Sequence, residues 1–382
     1  MRDYLEAVRE HVVVFDGATG TNLHARNLTL DDFGGPQFEG CPEILNVTRP
    51  DVIRDLHASF FDVGCDVVET NSFGGFSTVL TEYQIPERAY ELSLASARIA
   101  REVADSYDGG RFVAGSLGPG TKMATLGWIS FAELRDSYET AAAALLEGGV
   151  DLFIIETVQD LLQAKAAMIA CRRAMKAAGR QVPIQVQVTI ETTGRMLLGT
   201  EIGAALASIG AMRPDVFGLN CATGPKEMHE HLRHLSRYSP IPISCVPNAG
   251  LPSIVDGHTH YDLTPTDLAD AHERNVTELG IGVVGGCCGT TPEHLRQVVE
   301  RVRHLTPAAR RPQVEPSVSS LFSPVPLRQE TSYLVIGERT NANGSKAFRD
   351  ALLDGDWDVC EDMAREQVKE GSHAIDVCVD YV

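Results

Sequence analysis

The sequence is poor in positive charge. Its 382 residues include 52 Asp and Glu against 33 Lys and Arg, which gives a formal net charge of −19. Nucleic acids and anionic membrane surfaces bind through basic patches, so this balance argues against either as a partner. The 43% of hydrophobic residues is nevertheless ample for a large core, as expected of a globular protein.

The sequence also lacks the apolar segments of exported and membrane proteins. No apolar run approaches the roughly 18 residues that a spanning helix needs. The first residues lack the apolar core of a signal peptide, and the nine cysteines lack the spacing of a disulfide framework. We therefore expect a cytoplasmic protein whose reduced thiols are available to metals.

Short apolar runs alternate with longer segments of helical period between residues 12 and 305. The runs are almost continuously apolar, as in parallel strands that are covered on both faces. The predicted strands are 12–16, 66–70, 111–116, 151–156, 183–190, 215–220, 241–246 and 282–286. The predicted helices are 50–63, 87–104, 131–146, 161–175, 201–212, 225–235, 265–279 and 291–305. Eight such units predict an α/β fold, the (β/α)₈ TIM barrel, because doubly wound sheets usually have fewer strands.

Proline and threonine mark the starts of two predicted helices. Pro50 and Pro292 suit the first helical turn, where a missing N–H costs nothing. Thr48 and Thr291 lie just upstream, where a side-chain oxygen can cap the helix.

The composition changes beyond the barrel, which we assign to residues 1–305. Residues 306–332 contain five prolines and several serines without a clear period, which predicts an extended linker. Residues 333–337 and 373–379 then have the pattern of strands, and 345–353 and 358–369 that of helices. The segment 333–382 is too short to close a second barrel. We expect it to be the truncated start of a second α/β barrel, and the chain to be a fragment.

Three cysteines follow predicted strands at the same end of the barrel. Cys221 ends the sixth strand, and the glycine-flanked pair Cys287 and Cys288 follows the eighth. Since the carboxyl ends of all eight strands meet on one face, the three sulfurs should lie together. Zinc takes three or four thiolate and imidazole ligands in tetrahedral geometry. The sequence therefore predicts a zinc site at the barrel mouth.

The predicted zinc site keeps one coordination position open. No other cysteine or histidine is evident at a strand end as a fourth ligand. Three thiolates leave Zn²⁺ with a net charge of about −1, which makes it a poor Lewis acid for hydrolysis. A sulfur bound there keeps much of its electron density. The site thus favours alkylation of a substrate thiol.

The other cysteines and histidines are weaker candidates for metal ligands. Three cysteines at or within predicted elements are expected in the core, namely Cys65, Cys171 and Cys245. Cys41 lies in a Gly-Cys-Pro turn that can approach the site. Three histidines along one predicted helix are expected to face solvent, namely His229, His231 and His234. A core role also stays open for the pair Cys287 and Cys288.

Five motifs at the strand ends resemble the homocysteine-binding barrel of the homocysteine S-methyltransferases. In chain order they are Asp16-Gly17-Ala18-Thr19-Gly20-Thr21, Val68-Glu69-Thr70-Asn71, Gly218-Leu219-Asn220-Cys221, Pro247-Asn248-Ala249-Gly250-Leu251-Pro252 and Gly285-Gly286-Cys287-Cys288-Gly289-Thr290-Thr291-Pro292. The resemblance covers residues 12–305 and is specific, because all five motifs occur in order. It implies a zinc-dependent methyltransferase that acts on homocysteine.

The resemblance also implies roles for individual residues. Cys221, Cys287 and Cys288 would ligate zinc, with Asn248 as an oxygen ligand when substrate is absent. Asp16 and Glu156 would pair with the homocysteine ammonium. For Asp16 a loop cap, and for Glu156 a salt bridge in the barrel mouth, remain as alternatives.

The chemistry of an amino-acid substrate agrees with these roles. Its ammonium needs carboxylates, and its carboxylate needs backbone N–H groups, which a tight glycine-containing turn can expose. The turn that begins Gly17, Ala18 and Thr19 is suited to this. Further candidates at strand ends are Asn71, Ser116 and Glu191.

The C-terminal segment carries a second resemblance. Ile336-Gly337-Glu338-Arg339-Thr340-Asn341 and Asp376-Val377-Cys378-Val379-Asp380 resemble the start of the methyltetrahydrofolate-binding barrel in cobalamin-dependent methionine synthases. This implies methylcobalamin as methyl donor, on a cobalamin-binding module in cis or in trans, and methyltetrahydrofolate in the full enzyme. The residues that would face the pterin are Glu338, Asn341, Asp376 and Asp380. In so short a segment we do not expect folate binding, and no Asp-x-His-x-x-Gly stretch offers a lower cobalt ligand.

Three functions remain open. In the first, a zinc-activated homocysteine thiolate attacks the methyl group of methylcobalamin and gives methionine. In the second, the same site takes the methyl group from S-methylmethionine or betaine. In the third, the zinc is structural and the barrel is a non-catalytic ligand-binding protein.

Overall fold

The computed structural model describes residues 3–255 and 258–381. The chain divides into two compact units, Met1–Val314 and Glu315–Val382. The first unit extends beyond the predicted barrel, because the segment after residue 305 stays bound to it. The Ala308 N–H donates to the Val276 carbonyl at 2.9 Å, and the Arg310 guanidinium donates to the carbonyls of Ser239 and Ile241.

Eight parallel strands form the predicted barrel. They pair in the order β1-β10-β7-β6-β5-β4-β3-β2. The two edges meet where Phe15 bridges Val67 and the Asp66 N–H donates to the Val14 carbonyl at 2.7 Å, so the barrel is nearly closed. The barrel strands are β1 (Val13–Val14), β2 (Val67–Glu69), β3 (Phe112–Leu117), β4 (Leu152–Val158), β5 (Ile184–Val188), β6 (Val216–Asn220), β7 (Ile243–Val246) and β10 (Val283–Val284).

Helices surround the barrel as the periodicity predicts. Those that follow the eight barrel strands are α4 (Pro50–Asp62), α6 (Ala89–Asp105), α7 (Phe131–Gly148), α8 (Leu161–Ala178), α9 (Ile202–Gly210), α10 (Pro225–Tyr238), α11 (Pro265–Leu279) and α12 (Pro292–Val302). Four short helices precede or interrupt this series, namely α1 (Tyr4–Glu10), α2 (Thr19–His24), α3 (Leu45–Thr48) and α5 (Ser77–Leu80).

One of the two predicted helix caps is confirmed. Thr291 forms a capping box with His294 at the start of α12. The prediction for Thr48 is wrong, because this residue ends α3 and its hydroxyl donates to the Ile44 carbonyl at 3.2 Å. The residue before α4 is Arg49, which offers no side-chain cap.

Alternation along the strands produces two cores. Outward residues pack under the helices, whereas inward residues such as Phe15, Phe112 and Ile154 form a second cluster inside the barrel. Helix α1, which the sequence analysis did not predict, joins this inner cluster. Tyr4 contacts Phe15 and Phe112 edge-on and donates to Gln185 Oε1 at 2.7 Å. The amino end of the barrel is therefore filled, and free space remains at the carboxyl end.

A hairpin that was not predicted follows the seventh barrel strand. Its antiparallel strands are β8 (Pro252–Val255) and β9 (His258–Tyr261). Tyr261 packs against the turn after the cysteine pair, where a Cβ on Gly289 would overlap its ring. The hairpin thus contributes a wall beside the predicted metal ligands.

The second unit contains the four predicted elements. Strands β13 (Ile336–Gly337) and β14 (Ala374–Ile375) pair in parallel, with α13 (Lys346–Asp354) and α14 (Trp357–Lys369) between them in sequence. The predicted linker is not wholly extended, because β11 (Ser317–Ser319) pairs with β12 (Pro324–Pro326). Across both units, no helix in the described residues has the length and apolarity needed to cross a membrane.

Candidate metal and substrate site

A cavity of about 250 Å³ opens at the carboxyl end of the barrel strands. All three predicted cysteine ligands line it, together with Glu69 and Glu156. Among the described residues that line it there is no Lys, Arg or His. Its chemistry is therefore that of thiols, carboxyl groups and neutral polar groups, which suits a cationic ligand.

The three thiols lie close enough to share one metal ion. Their sulfur atoms all lie within 4.8 Å of one another, and the Sγ atoms of Cys221 and Cys288 are 3.8 Å apart. Two sulfurs on a tetrahedral zinc, each about 2.3 Å from the metal, lie about 3.8 Å apart. Within the described residues, no other group of three His, Cys, Asp or Glu side chains meets the same distance criterion. The donor set and its spacing thus fit zinc.

The backbone holds the thiols in place from two directions. Cys221 and Ala222 adopt left-handed φ angles of 59° and 57°, which turn the chain sharply at the end of β6. Such angles are unfavourable for residues with a side chain and need support from the surrounding structure. The Cys287 N–H donates to the Pro247 carbonyl at 2.8 Å, which ties the cysteine pair to the loop after β7.

Close packing requires glycine before the pair. A Cβ on Gly286 would lie 2.5 Å from Thr290 Oγ1. The same hydroxyl donates to the Cys287 carbonyl at 2.7 Å, and thus closes the turn that presents both thiols.

Asn248, predicted as an oxygen ligand, also supports this turn. Its Oδ1 accepts a hydrogen bond from the Cys288 N–H at 3.1 Å, and its own N–H donates to the Thr223 carbonyl at 3.0 Å. The side chain is buried, with 3% exposure. A ligand role for Asn248 remains a prediction.

Hydrogen bonds among the thiols favour one thiolate. Those from Cys221 and Cys287 lower the pKa of Cys288 to about 3. The same contacts, with Cys221 first, raise the pKa of Cys287 well above its ordinary value. The trio therefore concentrates negative charge where a cation would bind.

Glu156 is held by two neighbours at the end of β4. Ser116 Oγ donates to its Oε1 at 2.5 Å, and Asn220 Nδ2 donates to its Oε2 at 3.3 Å. Burial raises the pKa of Glu156 to about 7. The alternative of a salt bridge is wrong, since no ion pair of Glu156 occurs in the described residues and no basic side chain lines its cavity.

Asp16 is buried behind this cavity. Its Oδ2 accepts from the Glu69 N–H at 3.0 Å, which matches the alternative of a cap at a strand end. Its Oδ1 is buried without a hydrogen-bond partner. Burial raises the pKa of Asp16 well above its ordinary value. One oxygen thus holds the end of β2, Asp16 is not among the residues that line the cavity, and a role in ammonium binding remains a prediction.

Glu69 is a cavity residue that the sequence analysis did not select. Burial raises its pKa well above the ordinary value, and the charges of Glu156 and Asp16 add to this effect. The available signal was its position, an acidic residue directly after the apolar run of β2. The carboxyl groups of Glu69, Asp16 and Glu156 therefore lie close together. No Lys, Arg or His is among the described residues that line the cavity.

The other predicted substrate residues differ in whether they line the cavity and in whether their polar groups already have hydrogen-bond partners in the protein. Gly17, Ala18 and Thr19 line the cavity at the start of α2, but the Ala18 N–H already donates to Thr290 Oγ1 at 3.3 Å. Asn71 also lines the cavity, yet its Nδ2 donates to the Pro42 carbonyl at 2.8 Å and to Asn46 Oδ1 at 3.0 Å. Glu191 lies in a turn outside the cavity lining.

The weaker thiol and imidazole candidates lie elsewhere. The three cysteines predicted in the core are completely buried, namely Cys65, Cys171 and Cys245. Cys41 does not reach the site, because it is buried in a satellite cluster with its Sγ 3.7 Å from Glu43 Oε2. His231 and His234 are half-buried in a groove rather than fully solvated, and burial lowers the pKa of both.

The residues predicted to face a pterin belong to the second unit. Asn341 Nδ2 donates to Asp376 Oδ2 at 2.7 Å, and the Asp380 carbonyl accepts from Asn343 Nδ2 at 2.7 Å. The Glu338 carbonyl accepts from the Asn341 N–H at 3.1 Å. These residues therefore converge on the carboxyl ends of β13 and β14.

The fold and the site together define a TIM barrel that presents three thiols and a carboxyl cluster at the carboxyl ends of its strands. Residues 13–302 match the homocysteine S-methyltransferase family. The chain therefore belongs to that family.

Two relatives and a solved structure are similar to the chain. The chain is 52% identical over 383 residues to a methionine synthase of Mycobacterium tuberculosis and 50% identical over 395 residues to that of Mycobacterium leprae. Each match covers the whole chain but 32% of the mycobacterial protein. The homocysteine methyltransferase MmuM of Escherichia coli, in a metallated crystal form, has 22% identity and a TM-score of 0.62, over 77% of this chain and 97% of its own. At that identity the likeness concerns the fold.

Proposed function

We propose that the first unit binds zinc and homocysteine and presents the homocysteine sulfur as a methyl acceptor, as one part of a methionine synthase. The observation that supports this most directly is one cavity lined by both a three-thiol cluster and carboxyl groups. Homocysteine carries a thiol and an ammonium, which match these two features. Family membership and the 52% identical methionine synthase support the same assignment.

Cys221, Cys287 and Cys288 would hold the zinc ion. Bound there, zinc would lower the pKa of a substrate thiol from about 8.5 and make the thiolate available at neutral pH. The protein contributes the fixed thiol positions through the left-handed turn at Cys221 and the turn that Thr290 closes. No general base is then required near the substrate sulfur.

The substrate ammonium would bind on the carboxyl side of the cavity. Glu156 is oriented by Ser116 and Asn220, and Asp16 retains one oxygen without a partner. An ammonium compensates the negative charge that burial otherwise disfavours, so binding would favour ionised Glu156. The substrate carboxylate would lie against the backbone of residues 17–19, at the start of α2.

We propose methylcobalamin as the methyl donor, carried by a cobalamin-binding module in cis or in trans. The relatives named methionine synthase are about three times as long as the chain, which leaves room in them for such a module. Large apolar side chains also project from loops on the carboxyl face, where Phe73, Leu126 and Trp128 are 42%, 47% and 60% exposed. A bulky donor surface can use such contacts better than betaine can. In the full protein, methyltetrahydrofolate would serve the domain that begins in the second unit.

Zinc analysis and homocysteine binding test the acceptor site. Cys221→Ala should lower zinc content below one ion per chain and weaken homocysteine binding, whereas Cys171→Ala, which removes a core thiol, should retain both. When homocysteine is added, the zinc X-ray absorption spectrum should show one additional sulfur ligand on the zinc ion. An unchanged zinc spectrum would instead support a structural metal.

A donor comparison separates the two enzymatic alternatives. The chain is mixed with homocysteine and with methylcobalamin, S-methylmethionine or betaine, and methionine is measured. We expect methionine from methylcobalamin, with S-methylmethionine and betaine close to background. Preferred use of either small donor would overturn the assignment of cobalamin.

A further inference from the structure

The fourth barrel strand contains a β-bulge at its carboxyl end. Its pairing with β5 shifts register between Ile155 and Val158. Thr157, which lies in this interval, has a left-handed φ of 54°. This conformation is rare for a β-branched residue and requires support from its surroundings.

The bulge changes the alternation of β4 directly after Glu156. Leu152 and Ile154 belong to the core inside the barrel, whereas Ile155 and Val158 belong to the core under the helices. Strict alternation would place Val158 inside the barrel with Ile154. Alternation with Leu152 and Ile154 already places Glu156 at the cavity, and the additional residue at 157 returns Val158 to the outer core.

Asn220 supplies the support for this bulge from the neighbouring part of the barrel. It is the last residue of β6 and has 0% exposure. Its Oδ1 accepts from the Thr157 N–H at 2.7 Å, and its Nδ2 donates to Thr157 Oγ1 at 2.9 Å. The same Nδ2 donates to Glu156 Oε2 at 3.3 Å. One side chain thus binds both residues at the bulge.

The backbone of Asn220 lies next to the predicted metal ligands. Asn220 immediately precedes Cys221, and its carbonyl accepts from Thr189 Oγ1 at 3.0 Å. The residue therefore links a predicted zinc ligand with a predicted ammonium ligand. Both of its Nδ2 protons are used, which leaves no role for them in direct substrate contact.

We infer that Asn220 is a positioning residue for the substrate ammonium, which acts by a hydrogen bond that orients the Glu156 carboxyl and by holding the bulge that follows Glu156. This inference rests on the proposed function, because it assumes that Glu156 receives the ammonium. It assigns to the asparagine of the Gly218-Leu219-Asn220-Cys221 motif a role separate from that of the adjacent thiol.

A double substitution provides the test. Asn220→Ala should retain zinc but raise the Kd for homocysteine about tenfold, because a hydrogen bond to a charged group is lost. Thr157→Gly added to Asn220→Ala should restore part of that affinity, since glycine adopts a left-handed φ without support from Asn220 but cannot replace the hydrogen bond to Glu156. Asn275→Ala, which removes a buried asparagine that donates to Cys245 Sγ, is the control for general destabilisation and should keep the wild-type Kd.

The pH dependence of homocysteine binding adds a second measurement. The amide donor favours ionised Glu156, so its loss should shift the rise in affinity to higher pH in Asn220→Ala. A wild-type Kd and pH profile in this variant, or a loss of zinc in parallel with affinity, would overturn the inference.

Failure of the proposed function would be distinguishable. If wild-type protein bound no homocysteine, the proposed function would fail. The crystal structure of Asn220→Ala would still test the positioning role of Asn220. An unchanged bulge and an unmoved Glu156 in that variant would refute it.

Discussion

The two sides of the cavity hold their acidic side chains in place by different means. On the thiol side, Cys221, Cys287 and Cys288 are placed by the backbone, through left-handed angles at the end of β6 and a tight turn after β10. On the carboxyl side, Glu156 is placed by side chains, namely those of Ser116 and Asn220.

This difference predicts different responses to substitution. A change in backbone geometry should weaken metal binding first. A change in a supporting side chain should weaken homocysteine binding and leave metal binding unchanged. Five experiments test the distinction.

Removal of zinc should have the largest effect on homocysteine. At about pH 9, above the ordinary thiol pKa of about 8.5, a thiol whose pKa falls by about two units on binding gains about 2.7 kcal/mol, or about 100-fold in affinity. Chelation of zinc should therefore weaken the binding of homocysteine by about that factor. The binding of 2-aminobutyrate, which has no thiol, should stay almost unchanged. Titration calorimetry of both ligands measures this, and equal losses would mean that the two sides are not separable.

Gly286→Ala should damage the thiol side through the backbone. The new Cβ would lie 2.5 to 2.7 Å from the Thr290 side chain, so the turn must open. We expect a loss of about 1–3 kcal/mol in stability, as for other overpacked sites, and weaker zinc binding. Gly210→Ala is the matched control, because its nearest neighbour would lie at 3.7 Å. Denaturant unfolding and zinc competition report the two effects, and unchanged zinc affinity would contradict the assignment.

Glu156→Gln should affect the carboxyl side alone. We expect about 10- to 30-fold weaker homocysteine binding at neutral pH, the loss of one partly buried charge contact, with zinc content preserved. Glu147→Gln, at a surface pair with Arg98, should behave as wild type. Loss of zinc in Glu156→Gln would show that the carboxyl side also shapes the thiol side.

The same residue gives a pH dependence with a definite sign. Burial raises the pKa of Glu156 from 4.5 to about 7, so its contribution to ligand-free stability is complete below 4.5 and is lost as pH rises to about 7. Homocysteine affinity should rise over the same interval, because the ammonium needs the ionised carboxylate. Thermal unfolding from pH 4.5 to 8 should show a smaller decrease for Glu156→Gln than for wild type. Identical slopes would assign the titration to other groups.

Ser116→Ala should have the smallest effect. It removes the hydrogen bond from Ser116 to Glu156 and leaves the bond from Asn220 in place, so we expect homocysteine binding to weaken about five-fold. Ser93→Ala removes a buried hydroxyl that donates to the Gly75 carbonyl outside this cluster and serves as the control. An effect equal to that of Glu156→Gln would mean that Ser116 contacts the substrate itself.

Much of the barrel could be predicted because its signals are local. Apolar runs and helical periods depend on neighbouring residues, and all eight strands and their helices appear close to the predicted positions. The errors concern residues whose role depends on distant partners. Thr48 joins a short helix before Pro50, Cys41 packs in a satellite cluster, and helix α1 fills the barrel interior.

The sequence by itself determined the eight repeated units, the family and the three thiols at strand ends, because each depends on residue type and spacing along the chain. Only the tertiary structure decided how the carboxyl side is built. Glu69, Asp16 and Glu156 lie far apart in sequence, and closure of the barrel brings their strands together. The bulge that follows Glu156 involves pairing with β5 and an asparagine 63 residues away from Thr157. Such contacts have no local signal, since they exist only once the sheet has closed.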